Sequence, residues 1–216
     1  MGLGWFPVVG SLLGAFAGGI YIGLSELMPA GPAAAVSIAV GLLVTGAFHL
    51  DGLADMADAF GGGWDRAQRL EILKDSRLGT YGVTALAMVL LIEWSSLANL
   101  AGWSAFAAVV ASQTLGRMAA VIAMRTVPRA LESGSGFDYA AHASMPAVTG
   151  ACIWGVGVAI LCFGVWAPIV LFAVLVVVVA ISALAVSKIG GLVGDVLGAI
   201  AQLCVAAVML CAVALV

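Results

Sequence analysis

Apolar residues fall along this chain in blocks of about twenty, separated by short polar or Gly/Pro-rich breaks. The first block, 7–27, is closed by Pro29 and Pro32, and the second runs unbroken from 33 to 60, where Gly61-Gly62-Gly63 stops it. Further blocks cover 80–100, 104–126, 146–165, 169–186 and 195–216. Runs of this length match the roughly 20 residues that a helix needs to cross a bilayer. The pattern predicts an all-α, polytopic integral membrane protein: one transmembrane domain over 1–216, with about seven transmembrane helices. The block 33–60 is unusual. As one helix its 28 residues span about 42 Å, against a hydrocarbon core of roughly 30 Å. Its far end is therefore expected to emerge into the headgroup layer or to line a polar cavity.

Composition supports the membrane reading, and charge placement orients it. Hydrophobic residues make up 64% of the chain and charged residues 9%, against about 25% charged in a soluble domain. Arg66, Arg69, Lys74 and Arg77 follow the second block, Arg125 and Arg129 flank the end of the fourth, and Lys188 follows the sixth. The alternate loops, at 29–32, 101–103 and 167–168, carry no Lys or Arg. The positive-inside rule then places the polar loops 61–79, 127–146 and 187–194 in the cytoplasm, with the N-terminus inside and Val216 outside. No basic segment and cleavage site follow Met1, so no signal peptide is expected, and Phe6 stands where a myristoylation signal needs Ser or Thr. Cys152, Cys162, Cys204 and Cys211 lie in apolar stretches without metal-ligand spacing and read as small hydrophobes. Trp5, Trp64, Trp94, Trp103, Trp154 and Trp166 mostly fall near block ends, as an aromatic belt would.

One segment departs from this greasy background. At 100° per residue, Asp51, Asp55 and Asp58 fall within an arc of roughly 60° on one helix, and no Lys or Arg lies within a turn of them. Three uncompensated carboxylates call for a cation, and oxygen-only ligands suit Mg²⁺ better than zinc. The loop 61–79 is the strongly polar stretch beside this stripe, and the period of Leu70, Leu73 and Lys74 predicts a short interfacial helix within it. Arg66 and Arg69 read as solvated basic residues, whereas Lys74, Ser76 and Arg77 are candidates for holding phosphate oxygens. Asp195, in the glycine-rich run Gly190-Gly191-Leu192-Val193-Gly194-Asp195, is either a cap on the last helix or a fourth carboxylate facing the stripe.

Arg117 lies roughly 13 Å up its helix from Thr126, deep enough to need a polar cavity, and reads as a partner for the carboxylates or for substrate phosphate. Glu93 is expected at an interface, with an interhelical bond as the alternative. His49 falls on the face opposite Asp58 and reads as a packing residue; His142 gives no signal. There is no nucleophilic triad, nucleotide loop or nucleic-acid-binding surface. Acids and bases gathered at one membrane end favour phosphoryl transfer on a diphosphate substrate. They argue against an ion-coupled transporter, whose charges would sit mid-membrane in broken helices.

The stretch His49-Leu50-Asp51-Gly52-Leu53-Ala54-Asp55, continuing through Gly61-Gly62-Gly63-Trp64-Asp65 to Leu73-Lys74-Asp75-Ser76-Arg77-Leu78-Gly79-Thr80-Tyr81-Gly82, closely resembles the cobalamin synthase family. Phe6-Pro7-Val8-Val9-Gly10 and Gly194-Asp195-Val196-Leu197-Gly198-Ala199 are similar to the same family. The family comprises the adenosylcobinamide-GDP ribazoletransferases. The resemblance covers nearly the whole chain, which begins at the family's second characteristic stretch, so an N-terminal segment is expected to be missing.

The resemblance implies an Mg²⁺-dependent enzyme of the bacterial or archaeal inner membrane, active on its cytoplasmic face. It would join α-ribazole or its 5′-phosphate to adenosylcobinamide-GDP, giving adenosylcobalamin (or its 5′-phosphate) and GMP. Its partners would be these small molecules and the lipid bilayer, with a homo-oligomer allowed and no nucleic acid. On this reading Asp51, Asp55 and Asp58 are catalytic and hold the metal, Asp75 and Asp195 complete its shell, and Lys74, Ser76, Arg77 and Arg117 bind substrate. A CDP-alcohol-type phosphotransferase is the alternative, but no Ala-Arg follows Asp55 as its motif would need.

Overall fold

The structure, a computed structural model, describes residues 2–131 and 144–215. His142, most of the 127–146 loop and Val216 therefore lie outside the described residues. A 3-10 turn at Leu3–Trp5 leads into α1 (Phe6–Ser25). There follow α2 (Ala30–Thr45), α3 (Phe48–Gly62), α4 (Arg66–Ile72), α5 (Thr80–Ala98), α6 (Gly102–Thr126), α7 (Met145–Phe163), α8 (Ala167–Ile189) and α9 (Gly194–Leu215). The described residues contain no β-strand; one isolated bridge joins Arg129 to Leu192.

Five helical stretches are long and apolar enough to cross a bilayer, or six if α2 and α3 together make one broken span. One of the five, Met145–Ile189, has 45 residues and would reach about 67 Å if straight, some two core thicknesses. The 3-10 turn Gly164–Trp166 divides it, with Gly164 at φ +53°.

The expected continuous helix 33–60 does not form. α2 and α3 meet at 89°, with Gly46 and Ala47 both in the left-handed region at φ +64° and +55°. Gly46 ends α2 because it adopts that conformation without strain, and the Ala47 N–H donates to Leu42 O at 2.9 Å to close the last turn. Ala47 carries a Cβ into the same region, at a cost of about 1–2 kcal/mol. The break turns α3 at nearly a right angle to α2 and packs it against α9.

α6 and α9 form the centre, with 78% and 72% of their spanning windows buried against 28% for the other three. Small residues allow this closeness, since packing between membrane helices relies on backbone approach. A Cβ at Gly116 would meet Ala201 O at 2.6 Å, and one at Gly14 would meet Val110 Cα at 2.7 Å. Polar side chains bridge helices inside the bundle: the Tyr21 hydroxyl donates to Leu100 O (2.8 Å) and Ser37 to Ala17 O (2.7 Å). Trp154 lies mid-helix in α7 and donates to Ser11 Oγ at 2.9 Å. Glu93, expected at an interface, is buried inside the bundle. It is 7% exposed and accepts from Gln202 Nε2, the interhelical bond.

Arg66 and Arg69 clasp one end of the bundle; they are not simply solvated. Arg66 Nε donates to Ile189 O and Nη2 to Ala130 O, both at 2.8 Å, and Arg69 Nη1 donates to Lys188 O at 3.2 Å. These cations meet the carbonyls at the C-terminus of α8, where the helix dipole favours them. Ala130 N to Leu192 O (2.9 Å) and Leu192 N to Pro128 O (2.8 Å) join the neighbouring segments. The basic loops therefore share one end, and the interfacial helix expected in 61–79 is α4, capped by Asp65, whose Oδ1 accepts from Gln68 N at 2.9 Å.

Candidate functional site

At that same end α3 crosses the first turn of α9 with almost no side chain between them. A Cβ at Gly52 would lie 2.7 Å from Asp195 O and 3.0 Å from Asp195 Cα. On the other helix, a Cβ at Gly198 would lie 3.4 Å from the Cα atoms of Gly52 and His49. This paired glycine contact sets Asp195 beside the acidic stripe. Asp55 lies within electrostatic range of Asp51, Asp195 and Asp58, and Asp195 within range of Asp51. Asp51 is exposed and Asp55 and Asp195 are half-buried.

None of Asp51, Asp55 and Asp195 pairs with a Lys or Arg among the described residues. Like charges left uncompensated in a partly desolvated cleft repel one another, and a cation relieves this. The donor set is oxygen-only and suits a hard divalent ion. Among the described residues no three His, Cys, Asp or Glu side chains close around a single point. The carboxylates thus form an open array.

Asp58, expected in the same set, has another task. It accepts from Gly79 N at 2.7 Å and Gly82 N at 2.9 Å, one bond to each carboxylate oxygen. Gly79 is the N-cap of α5, so the carboxylate anchors that helix's first turn and faces its dipole. The glycines are required by space: a Cβ on Gly79 would fall 2.5 Å from Asp58 Oδ1, and one on Gly82 would also collide with the carboxylate. Asp58→Ala should therefore cost about 1–3 kcal/mol by orphaning two N–H groups. Asp51→Ala should leave the melting temperature equal or raised, since it removes a repelling charge. Thermal melts of both variants in detergent, without divalent ions, check this.

The segment Lys74-Asp75-Ser76-Arg77 lies between α4 and that anchored turn. Lys74, Ser76 and Arg77 are exposed. Asp75 is turned toward Arg77: Arg77 Nε donates to both Asp75 oxygens at 3.0 Å and Nη2 to Oδ2 at 2.5 Å. These bonds hold the Asp75 carboxyl below its ordinary value. An exposed pair of this kind adds little stability, and it leaves Asp75 apart from Asp51, Asp55 and Asp195.

Arg117 does not meet the carboxylates. It is 8% exposed, donates through Nη1 to Gln113 O (3.0 Å) and Oε1 (2.8 Å), and has no acidic partner among the described residues. It faces a pocket of about 540 Å³ that it shares with His49, on the side of α3 away from the acidic stripe. The sequence did not reveal the crossing at Gly52 and Gly198 or the Gly79/Gly82 cradle. The signal available was a glycine next to Asp51 and a pair of glycines three residues apart.

The chain matches the family model described as cobalamin-5-phosphate synthase over residues 2–214. It is 38% identical over 210 residues to the adenosylcobinamide-GDP ribazoletransferase of Chlorobium phaeovibrioides, covering 92% of this chain and 81% of the relative. The enzyme of the same name from Shewanella oneidensis is 37% identical over 209 residues, covering 93% and 78%. That from Mesorhizobium japonicum is 37% identical over 210 residues, covering 95% and 80%. No solved structure matches.

Proposed function

The chain belongs to the cobalamin-5-phosphate synthase family, and from that membership we propose that it is an Mg²⁺-dependent membrane transferase of cobalamin nucleotide-loop assembly. It joins α-ribazole or its 5′-phosphate to adenosylcobinamide-GDP and releases GMP. The observation that carries this reading is the array Asp51, Asp55 and Asp195, drawn together by the Gly52 crossing and without a basic partner among the described residues. An enzyme acting on a diphosphate needs such a site.

The bond that forms joins the ribazole 3′ oxygen to the phosphorus bearing cobinamide, and the bond that breaks joins that phosphorus to the GMP oxygen. Mg²⁺ held by Asp51, Asp55 and Asp195 would screen the negative charge that builds on the diphosphate. A carboxylate of the same array takes the hydroxyl proton as the oxygen attacks, a role worth about 10²–10⁴-fold in rate. Lys74, Ser76 and Arg77, exposed in the segment between α4 and α5, hold donor phosphate oxygens, with Arg77 exchanging Asp75 for phosphate. Asp58 keeps the loop in place, and we set it and Asp75 outside the metal set. The basic loops gathered at this end favour a cytoplasmic site in the inner membrane.

The test is product formation in liposomes supplied with GDP-cobinamide and α-ribazole 5′-phosphate. Stoichiometric GMP and cobalamin 5′-phosphate should form with Mg²⁺ and stop with EDTA. A folded preparation that turns over equally in EDTA overturns the metal assignment, and one that forms no product overturns the activity.

A further inference from the structure

Among the described residues no acid lines the pocket of about 540 Å³ at Arg117. Phe6, Phe48, Met124 and Leu197 supply apolar wall, and His49 and Arg117 are its ionisable groups among the described residues. Arg117 spends one nitrogen on its own helix, at Gln113, and has no counter-charge among the described residues. A buried cation inside a membrane protein is costly unless an anion meets it. The break between α2 and α3 shapes one side: Val44, Thr45, Phe48 and His49 flank the left-handed Gly46 and Ala47. Strain of that kind persists where the surroundings hold it, and it concentrates at ligand sites. Phe48 and Val44, 65% and 54% exposed, leave the pocket open between α1 and the break. Its volume suits a small molecule.

We infer that this pocket binds a phosphate monoester carrying an apolar or aromatic body, with the phosphate on Arg117 and His49 and the body against the apolar wall. Because no described carboxylate lines it, binding there needs no divalent ion, in contrast to the acidic array on the other side of α3. Two sources share this chemistry. One is the phosphorylated, heteroaromatic acceptor, an identification that rests on the transferase reading above. The other is a lipid phosphate monoester entering from the bilayer.

The experiment measures binding to the protein in neutral phosphatidylcholine nanodiscs with EDTA present. The probes are α-ribazole 5′-phosphate, unphosphorylated α-ribazole and dihexanoyl phosphatidic acid. A charge-assisted contact predicts that the phosphate tightens α-ribazole binding about ten- to a hundredfold. Arg117→Gln should remove that difference, Arg117→Lys should keep most of it, and Asp51→Asn should leave it intact. Arg117→Gln should melt no lower than wild type, since it deletes an uncompensated charge while Gln can still bond Gln113.

If phosphatidic acid alone shows Arg117-dependent binding, the phosphate-monoester site stands with lipid as its ligand. If neither phosphate probe depends on Arg117, the inference is overturned. Wild-type protein that binds the phosphate in EDTA yet forms no product would count against the transferase reading only. Full turnover with no such binding would count against the pocket only.

Discussion

Asp51→Asn is expected to lower turnover of the GDP-activated corrinoid by about 10²–10⁴-fold while the protein folds and melts as wild type. The side chain is exposed and bonds no described residue, so nothing structural depends on its charge. Asparagine keeps the volume and one oxygen but loses the charge that a divalent ion or a departing proton requires. Asp55→Asn and Asp195→Asn should behave alike, each also shifting the Mg²⁺ concentration for half-maximal rate upward. The measurement is GMP release against Mg²⁺ concentration for wild type and the three variants. Asp58→Asn provides the contrast: its main effect belongs in the melting curve, because its oxygens hold Gly79 and Gly82. A full-rate Asp51→Asn enzyme with unchanged Mg²⁺ dependence would remove the stripe from the mechanism.

The membrane class, the basic end and the acidic stripe were legible because each is written locally. Apolar blocks report the bilayer, and residues three and four apart share a helix face whatever the tertiary fold. The break after α2 was not legible. Thr45-Gly46-Ala47-Phe48 continues an apolar run, and a glycine in such a run does not by itself mark an end: Gly41 lies inside α2 and Gly46 closes it. Arg117 was read as a partner for the carboxylates or for substrate phosphate, and the fold removes the first: its guanidinium donates to Gln113 and faces the pocket shared with His49. The roles of Arg66 and Arg69 were hidden because the acceptors that they clasp across the bundle end are backbone carbonyls 64 to 123 residues away. Carbonyls have no sequence signature. Glu93 and Gln202 raised the same difficulty, being two polar residues on separate helices that satisfy each other. The Asp stripe could be read from the sequence, but its division of labour could not: Asp58 differs from Asp51 and Asp55 only in what α5 presents to it.

Gly52→Ala should test that division at its geometric root. The added Cβ meets Asp195 O at 2.7 Å, where ordinary contact begins near 3.4 Å, so α3 and α9 must part by about 0.7 Å. The obstacle is backbone, which cannot rotate aside as a side chain could. Overpacking of this kind costs about 1–3 kcal/mol, against which alanine returns about 1 kcal/mol of helix propensity, so the net loss of stability should be small. Catalysis should suffer far more. A displacement approaching 1 Å between groups that act together can cost about 10²-fold, and this one separates Asp51 and Asp55 from Asp195. Gly62→Ala, at the end of the same helix with no atom within 4 Å of the new Cβ, should change neither rate nor melting temperature appreciably. Reduced kcat in Gly52→Ala with a near-normal melt would show that the glycine crossing sets the spacing of the carboxylates. Equal rates for the two variants would mean that Asp195 contributes nothing through its proximity to α3.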